Sequence, residues 1–335
     1  MTLALLMIVF LLTGCKSQKT ETRYQATLMD LFDTVTSIIG YAESEQAFLE
    51  TVQQIRTEME EYDHLYDIYH EYPNLINLCT VNNQPGVVHT VDQRIIDLLV
   101  FAREVDAFSG HRTDVMIGSV LSLWHAARET GITDPDHAQL PDETALQEAM
   151  THSGFDCLFL DEESRTVCIT DSGAKLDVGA LAKGYAVQRI AEKLPEGLLL
   201  SVGGTVVATG PKPDGSSWVV GIQDPDGGAE GYLHKLNLQK GAVVTSGDYQ
   251  RFFTLEGKNW HHIIDPETMY PGDRWRAVTI VCEDSGLGDA LSTTLFLSSR
   301  EDGQKLLEQY KAEAMWISKD GSELFSPGFQ ALIKD

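Results

Sequence analysis

Three separated segments of this chain carry residue types whose spacing suits chemistry. In Gly288-Asp289-Ala290-Leu291-Ser292-Thr293, Asp289 and Thr293 stand four residues apart and share one face of a helix. A carboxylate and a hydroxyl on one face suit a hard cation, and Mg²⁺ prefers oxygen ligands and completes its shell with waters or a ligand's phosphates. The plainer alternative is an acidic residue favoured by the dipole at a helix start. In Lys175-Leu176-Asp177-Val178-Gly179-Ala180-Leu181-Ala182-Lys183-Gly184-Tyr185-Ala186 an acidic residue precedes a small-residue turn that opens a helix. Free N–H groups at such a start suit phosphate oxygens. Lys183, one turn in, can reach a phosphate or pair with Asp177; the plainer alternative is a tightly packed helix start. The third segment is Ala242-Val243-Val244-Thr245-Ser246-Gly247-Asp248-Tyr249, followed by His261-His262-Ile263-Ile264-Asp265-Pro266. On a strand His261 and His262 face opposite sides, so only one looks into a given site. Singly, each segment is better explained by structure than by function.

The common nucleotide and nucleophile signatures are missing. There is no G-x-G-x-x-G after a strand, no G-x-x-x-x-G-K-[ST] and no G-x-S-x-G. A nucleotide handled here is handled in another way.

The elements that must position these segments follow from periodicity and punctuation. Residues 31–41 alternate as a strand. Ser44 caps a helix to about residue 62, with Phe48, Val52, Ile55 and Met59 on one stripe. Thr90 and Gln93 form a capping box for a helix to about residue 107. A third helix follows Asp114 and includes Leu121 and Trp124, and a short one spans 142–152. Beyond residue 154 the texture is mostly β. Runs 157–160 and 166–170 form a hairpin, followed by strands at 198–202, 205–209, 218–222, 242–245, 252–255, 259–264 and 277–282. Helices are expected at 180–194, 289–297 and 302–310, with a closing hairpin around residues 319–322. Strands that return mostly by turns predict an α+β fold with antiparallel sheet and flanking helices.

The 335 residues include 25 Lys+Arg against 50 Asp+Glu, a formal net charge of −25. Such a field repels phosphodiester backbones, so nucleic acid is a poor partner and an anionic nucleotide needs a metal or local cations. Residues 1–12 are almost wholly apolar and lead into Leu12-Thr13-Gly14-Cys15. This resembles a bacterial lipobox, in which the Cys is lipidated and becomes the new N-terminus. No Lys or Arg precedes the apolar run, a departure from ordinary export signals. The reading is an exported, lipid-anchored protein: residues 1–15 signal, 16–26 polar tether, 27–335 one catalytic unit. Of the other cysteines, Cys79, Cys157, Cys168 and Cys282, none has zinc-site spacing. Cys157 and Cys168 flank the hairpin and read as small apolar residues rather than as a disulfide.

Taken together and in this order, the three segments resemble the FAD:protein FMN transferase family, the ApbE-type flavin transferases. The likeness runs from about Leu31 to Phe329. It includes Phe32-Asp33-Thr34, Thr113-Asp114-Val115 with Leu123-Trp124, and Ser201-Val202-Gly203-Gly204 with Gly210. Two departures stand out. Met269 in Asp265-Pro266-Glu267-Thr268-Met269-Tyr270-Pro271 occupies a position where the family often has Gly, and Gly118-Ser119 stands where it often has Gly-Pro.

The resemblance implies roles residue by residue. The cation, Mg²⁺, is held by the backbone carbonyl of Ala180, the Asp289 carboxylate and the Thr293 hydroxyl, with Ser292 in the same element. Asp177 and Lys183 contact FAD, as does Ile263 through its backbone. Phe32, Tyr69, Thr113 and Asp114 line the flavin and adenine pockets, and His262 is the base. The implied reaction is transfer of FMN from FAD to a Thr or Ser hydroxyl of an acceptor protein, releasing AMP. Two alternatives stay open: a Mg²⁺-dependent FAD pyrophosphatase, and a non-catalytic flavin-binding lipoprotein.

Overall fold

The computed structural model describes residues 21–228 and 231–334. Cys15, the apolar run and residues 16–20 lie outside them. In chain order the elements are β1 (Thr22–Leu31), β2 (Thr34–Ala42), α1 (Glu45–Tyr66), α2 (Leu78–Asn83), β3 (His89–Thr90), α3 (Gln93–Ser109), α4 (Gly118–Thr133), α5 (Glu143–Met150), β4 (Leu158–Asp161), β5 (Thr166–Ile169), α6 (Ala182–Ala191), β6 (Leu198–Val202), β7 (Thr205–Ala208), β8 (Trp218–Gln223), β9 (Tyr232–Leu238), β10 (Gly241–Gly247), β11 (Phe252–Leu255), β12 (Lys258–His261), β13 (Ile264–Asp265), β14 (Tyr270–Pro271), β15 (Trp275–Cys282), α7 (Ser285–Leu297), α8 (Arg300–Tyr310), β16 (Glu313–Ser318) and β17 (Glu323–Phe325).

The α+β expectation holds. Eight strands form one sheet in the order β1-β2-β6-β7-β10-β15-β16-β17, and every neighbouring pair is antiparallel. Both faces of this sheet are covered, which its residues show. Leu198, Leu200 and Val202 belong to one apolar cluster and Leu199 to another, because successive strand side chains point to opposite faces. On the first face α1, α6 and α7 bury Ile55, Met59, Ile190, Leu291 and Leu295 against Ile38, Val244, Val278 and Ile280. On the second, the β8–β9 hairpin sets Trp218, Val220, Ile222, Leu236 and Leu238 against Val243, Ala277, Met315 and Ile317. A smaller cluster joins Val120 and Trp124 of α4, Leu146 of α5, Phe253 and Ile264. The described helices include none long and apolar enough to cross a membrane.

Several local expectations are corrected. The single strand at 31–41 is a hairpin: β1 ends at Leu31, Phe32 and Asp33 turn, and β2 starts at Thr34. The polar stretch read as tether overlaps β1, whose alternating Tyr24, Ala26 and Leu28 pack on the core. Thr90 does not cap α3, because it pairs with Thr166 in the β3–β5 ladder; Asp92 accepts the Arg94 N–H at 2.9 Å instead. The strand read at 259–264 breaks after His261. β9 escaped notice because only Leu236 and Leu238 of its seven residues are buried. The hairpin β4–β5 is present with Cys168 opposite Phe159, and Cys157 and Cys168 are both free thiols.

The cap assignment has a measurable consequence. Asp92→Ala should lower unfolding free energy by about 1 kcal/mol, whereas Thr90→Ala at an exposed position should stay within about 0.5 kcal/mol. Urea denaturation of the two variants distinguishes them, and the reverse order would restore Thr90 as the cap.

Candidate active site

α7 begins at Ser285 under an Asp284 cap, whose side chain accepts the Leu287 N–H at 2.9 Å. Asp289 therefore lies in the second turn, and the dipole at a helix start does not explain it. The residue is buried, at 6% exposure, and a buried carboxylate needs donors. It has three. Gly184 N–H donates to Oδ2 at 2.6 Å, the Thr205 hydroxyl to Oδ1 at 3.0 Å, and Lys183 Nζ lies 3.3 Å from both oxygens. Lys183 also donates to the Thr205 hydroxyl. Lys183 thus pairs with Asp289 rather than with Asp177.

The close approach of α6 to α7 depends on Gly184. A Cβ there would sit 2.3 Å from the Ser285 carbonyl oxygen and 2.6 Å from the Asp289 carboxyl carbon. Gly184 is the third residue of α6, so its N–H is one of the donors that a helix start leaves without an intrahelical partner, and Asp289 takes it; the Ala180 carbonyl precedes the N-cap Leu181. Among the described residues it accepts no hydrogen bond. The helix start is only partly open to an anion: among the described residues the N–H groups of Ala180 and Lys183 have no partner, and the others are used internally. The N–H of Gly179 goes to the Asp177 carboxylate, and those of Leu181 and Ala182 go to the Val178 carbonyl.

A cleft of about 910 Å³ opens above this knot, within the range of small-molecule and cofactor sites. It gathers most of the expected residues: Phe32, Tyr69, Thr113, Asp114, Asp177, Ala180, Lys183, His262, Ile263, Asp289 and Thr293. Phe32 and Asp33 both take left-handed backbone, at φ 52° and 51°. A two-residue hairpin demands this of both residues, at roughly 1 kcal/mol or more for each non-glycine. Asp63 steadies the turn by accepting the Phe32 N–H at 3.0 Å. Beside it the β6–β7 turn uses Gly203 and Gly204, and a Cβ on Gly203 would lie 2.5 Å from the Thr34 hydroxyl. Of the crowded tyrosines, Tyr66 is core and donates to the Arg94 carbonyl, and Tyr72 donates to Asp67. Tyr69 stands 55% exposed, its hydroxyl 3.3 Å from His125 Nδ1. Burial raises the carboxyl pKa of Asp177, and lifts that of Asp114 to about 6.

The two histidines separate cleanly. His261 is buried; its Nε2 donates to the Gly272 carbonyl at 2.8 Å and its Nδ1 accepts the Ile263 N–H at 3.3 Å. It is a structural imidazole, pushed down to about 4 by burial. His262 follows the strand end and opens onto the cleft. Its Nδ1 lies 3.2 Å from the Arg251 carbonyl, which can only accept. That bond fixes the proton on Nδ1 and leaves the Nε2 lone pair free. The surrounding cleft walls, then Arg251 and His261, push its pKa below the ordinary imidazole value, although the residue itself is exposed.

The donor set fits a hard cation in kind. The Ala180 carbonyl is unclaimed, and the Thr293 hydroxyl meets only the Ser246 hydroxyl at 3.5 Å. Ala180, Asp289 and Thr293 all line the cleft. No cluster of three or more metal-holding His, Cys, Asp or Glu occurs among the described residues. One carboxylate with neutral oxygens suits Mg²⁺ only with ligand phosphates or waters completing the shell. Ser292 drops out of this set: buried, it donates to the Asp289 carbonyl at 3.0 Å and meets Ser246 at 2.8 Å, positioning rather than facing the cleft. Ile263 lines the cleft, but its N–H goes to His261 and its carbonyl accepts from Gly272 at 2.9 Å. Thr113 is buried and ties its loop to α7 through Thr294 at 2.8 Å.

A model of the ApbE family matches residues 22–316. The chain belongs to the ApbE family. Curated relatives include FAD:protein FMN transferases of Klebsiella pneumoniae and Treponema pallidum, each 31% identical. The alignments cover 71% and 72% of this chain and 73% and 71% of those proteins. The solved ApbE protein of Thermotoga maritima superposes with a TM-score of 0.82 at 27% identity, over 94% of this chain and 100% of that one. The flavin transferase ApbE of Vibrio cholerae, 21% identical with a TM-score of 0.76 over 93% of this chain and 100% of that one, shares the fold. Membership brings the enzyme class with it: this is a transferase.

The ApbE-type departures now have a physical reading. Met269 stands at φ 63°, the left-handed region where glycine costs least, and its carbonyl is held by the Trp124 indole N–H at 2.8 Å. Gly118 keeps the family's glycine, and the departing residue, Ser119, donates its hydroxyl to the Gly173 carbonyl, a bond that proline cannot make. Sequence reasoning missed Thr205, Gly184, His125, Arg128 and Arg251. A threonine after two turn glycines and a glycine in a helix start carry no chemical signal of their own. Arg128 and Arg251 line the cleft, and their side chains form no hydrogen bond or ion pair found among the described residues.

Imidazole titration by NMR tests the histidine assignment. The buried His261 should stay neutral through pH 6 and protonate only near pH 4, and the exposed His262 should titrate below the ordinary imidazole value. A His262 signal titrating near 6.5 would remove the crowding that defines it here.

Proposed function

We propose that the chain is a Mg²⁺-dependent FMN transferase. It moves FMN from FAD to a Thr or Ser hydroxyl of an acceptor protein and releases AMP. The observation that carries this reading is the conjunction, in one cleft, of the free oxygens beside Asp289 with a histidine whose basic nitrogen is unpaired. The names of the curated relatives supply the substrate class.

Ala180, Asp289 and Thr293 would hold the cation. When bound, it would neutralise charge developing on the diphosphate. Phe32, Tyr69, Asp114 and Asp177 line the space for the ring systems. The acceptor hydroxyl oxygen attacks the FMN-side phosphorus, the anhydride P–O bond breaks, and AMP leaves. His262 Nε2 receives the hydroxyl proton. Its low pKa keeps it unprotonated at neutral pH, and the anionic substrate beside it raises its basicity as it binds. Lys183 and the unpaired Arg128 and Arg251 bring positive charge into a cleft of a strongly acidic protein.

Mass spectrometry of a candidate acceptor incubated with enzyme, FAD and Mg²⁺ should show an added FMN on Thr or Ser. Asp289→Ala should slow this roughly a hundredfold or more. AMP release at full rate without acceptor would make the protein a pyrophosphatase, and intact FAD throughout would make it a binding protein.

We also propose that the chain is exported and anchored by lipid on Cys15, on the strength of the apolar run and Leu12-Thr13-Gly14-Cys15. Cys15→Ala should move the protein from the membrane fraction to the soluble one. Retention in the membrane would count against the anchor.

A further inference from the structure

Thr205 is wholly buried and does not line the cleft, yet its hydroxyl joins the two charged groups at the cleft floor. Its single proton goes to Asp289 Oδ1 at 3.0 Å, and its oxygen accepts from Lys183 Nζ. It is the first residue of β7, directly after the Gly203-Gly204 turn, in the middle of the sheet between β6 and β10. Its place is therefore fixed by strand pairing on both sides.

The Asp289 carboxylate is fully engaged. Oδ2 takes Gly184 N–H and Lys183, and Oδ1 takes Thr205 and Lys183. A divalent cation at this carboxylate must displace one donor. The Gly184 N–H is backbone at a helix crossing, and the Thr205 hydroxyl sits on a central strand. Lys183 alone is on a flexible stem, with its side chain 22% exposed to the cleft. It is also the donor that a second cation repels.

We infer that Thr205 is a positioning residue that holds Lys183 on Asp289 as the resting counter-ion of the cation site. Cation and diphosphate consequently enter coupled. With a cation in the site, the Lys183 ammonium would leave Asp289 and pair with the diphosphate of the substrate. Coupling of this kind is reciprocal: each ligand tightens the other by the same factor. The inference rests on the divalent-cation reading proposed above.

The test uses Mn²⁺ as the probe cation and ADP as a diphosphate that carries no flavin, with free Mn²⁺ read by electron paramagnetic resonance on the full chain and corrected for the Mn²⁺ that ADP binds in matched protein-free samples. The quantity of interest is the ratio of Mn²⁺ dissociation constants without and with ADP, expected at about tenfold in the native protein. Thr205→Val keeps the shape and removes the hydroxyl. Any loss of carboxylate orientation weakens Mn²⁺ binding with and without ADP alike and cancels in the ratio. The weakened hold on Lys183 does not cancel, so the ratio should fall by about threefold or more. Thr205→Ser should restore it, and Lys183→Met sets the floor. A native-like ratio in Thr205→Val overturns the inference and leaves the cation reading standing. Absence of Mn²⁺ binding by the native protein with and without ADP overturns the cation reading itself.

Discussion

The architecture of the site depends on one buried carboxylate. Asp289 is almost out of water, so its charge is tolerable only with donors on every side. Meeting that demand brings three elements to one point: the start of α6, the second turn of α7 and the first residue of β7. Gly184 is required because only a residue without Cβ lets the α6 backbone come close enough to donate. Ser285 then seals the crossing, donating its hydroxyl to the Gly184 carbonyl at 2.7 Å. α6 gives up no helical bond, because the Gly184 N–H is one of the unpartnered donors of its first turn, and the Ala180 carbonyl just before the helix accepts no hydrogen bond among the described residues.

The rest of the cleft is built outward from that point. The hairpin tips at Phe32-Asp33 and Gly203-Gly204 bracket one side and α4 the other. The aromatic group of Trp124, Trp260 and Tyr270, with Trp124 and Trp260 stacked at 5.8 Å, fixes the wall next to His262. His261 belongs to this scaffold. Bonded on both ring nitrogens, with its ring edge-on to Phe296 at 5.5 Å, it anchors the strand end from which His262 projects. Adjacent histidines of identical chemistry thus divide into a buried support and a cleft-lining imidazole by which side of the chain faces the core.

Electrostatics explains how so acidic a protein accommodates an anionic substrate. The net charge of −25 is a property of the whole chain, whereas the field inside a low-dielectric cleft is set by the few groups that line it. Arg112, Arg128, Arg251 and Lys183 stand there among Asp33, Asp63, Asp67, Asp114, Asp177 and Asp289, and Lys183 is paired with Asp289, so the positive charge is local to the arginines rather than a property of the whole cleft. Burial raises the carboxyl pKa of Asp114 and Asp177, so these groups give up part of their negative charge more readily than surface carboxylates.

Sequence alone determined the fold class and most of the elements, and it named residues that the fold then gathers along one cleft. Period-two alternation identified the central strands, helical stripes identified α1 and α3, and the four-residue spacing of Asp289 and Thr293 put both on one helical face. These are local signals, set by backbone geometry within a few residues. Only the tertiary structure decided who pairs with whom. Lys183 was free to reach Asp177 until the sheet brought Asp289 and Thr205 to it. Ser292, one residue from a cleft-facing hydroxyl, turned inward because α7 buries that face. Thr205 and Gly184 were silent because their roles, a hydroxyl between two charges and an absent side chain at a crossing, exist only where distant segments meet.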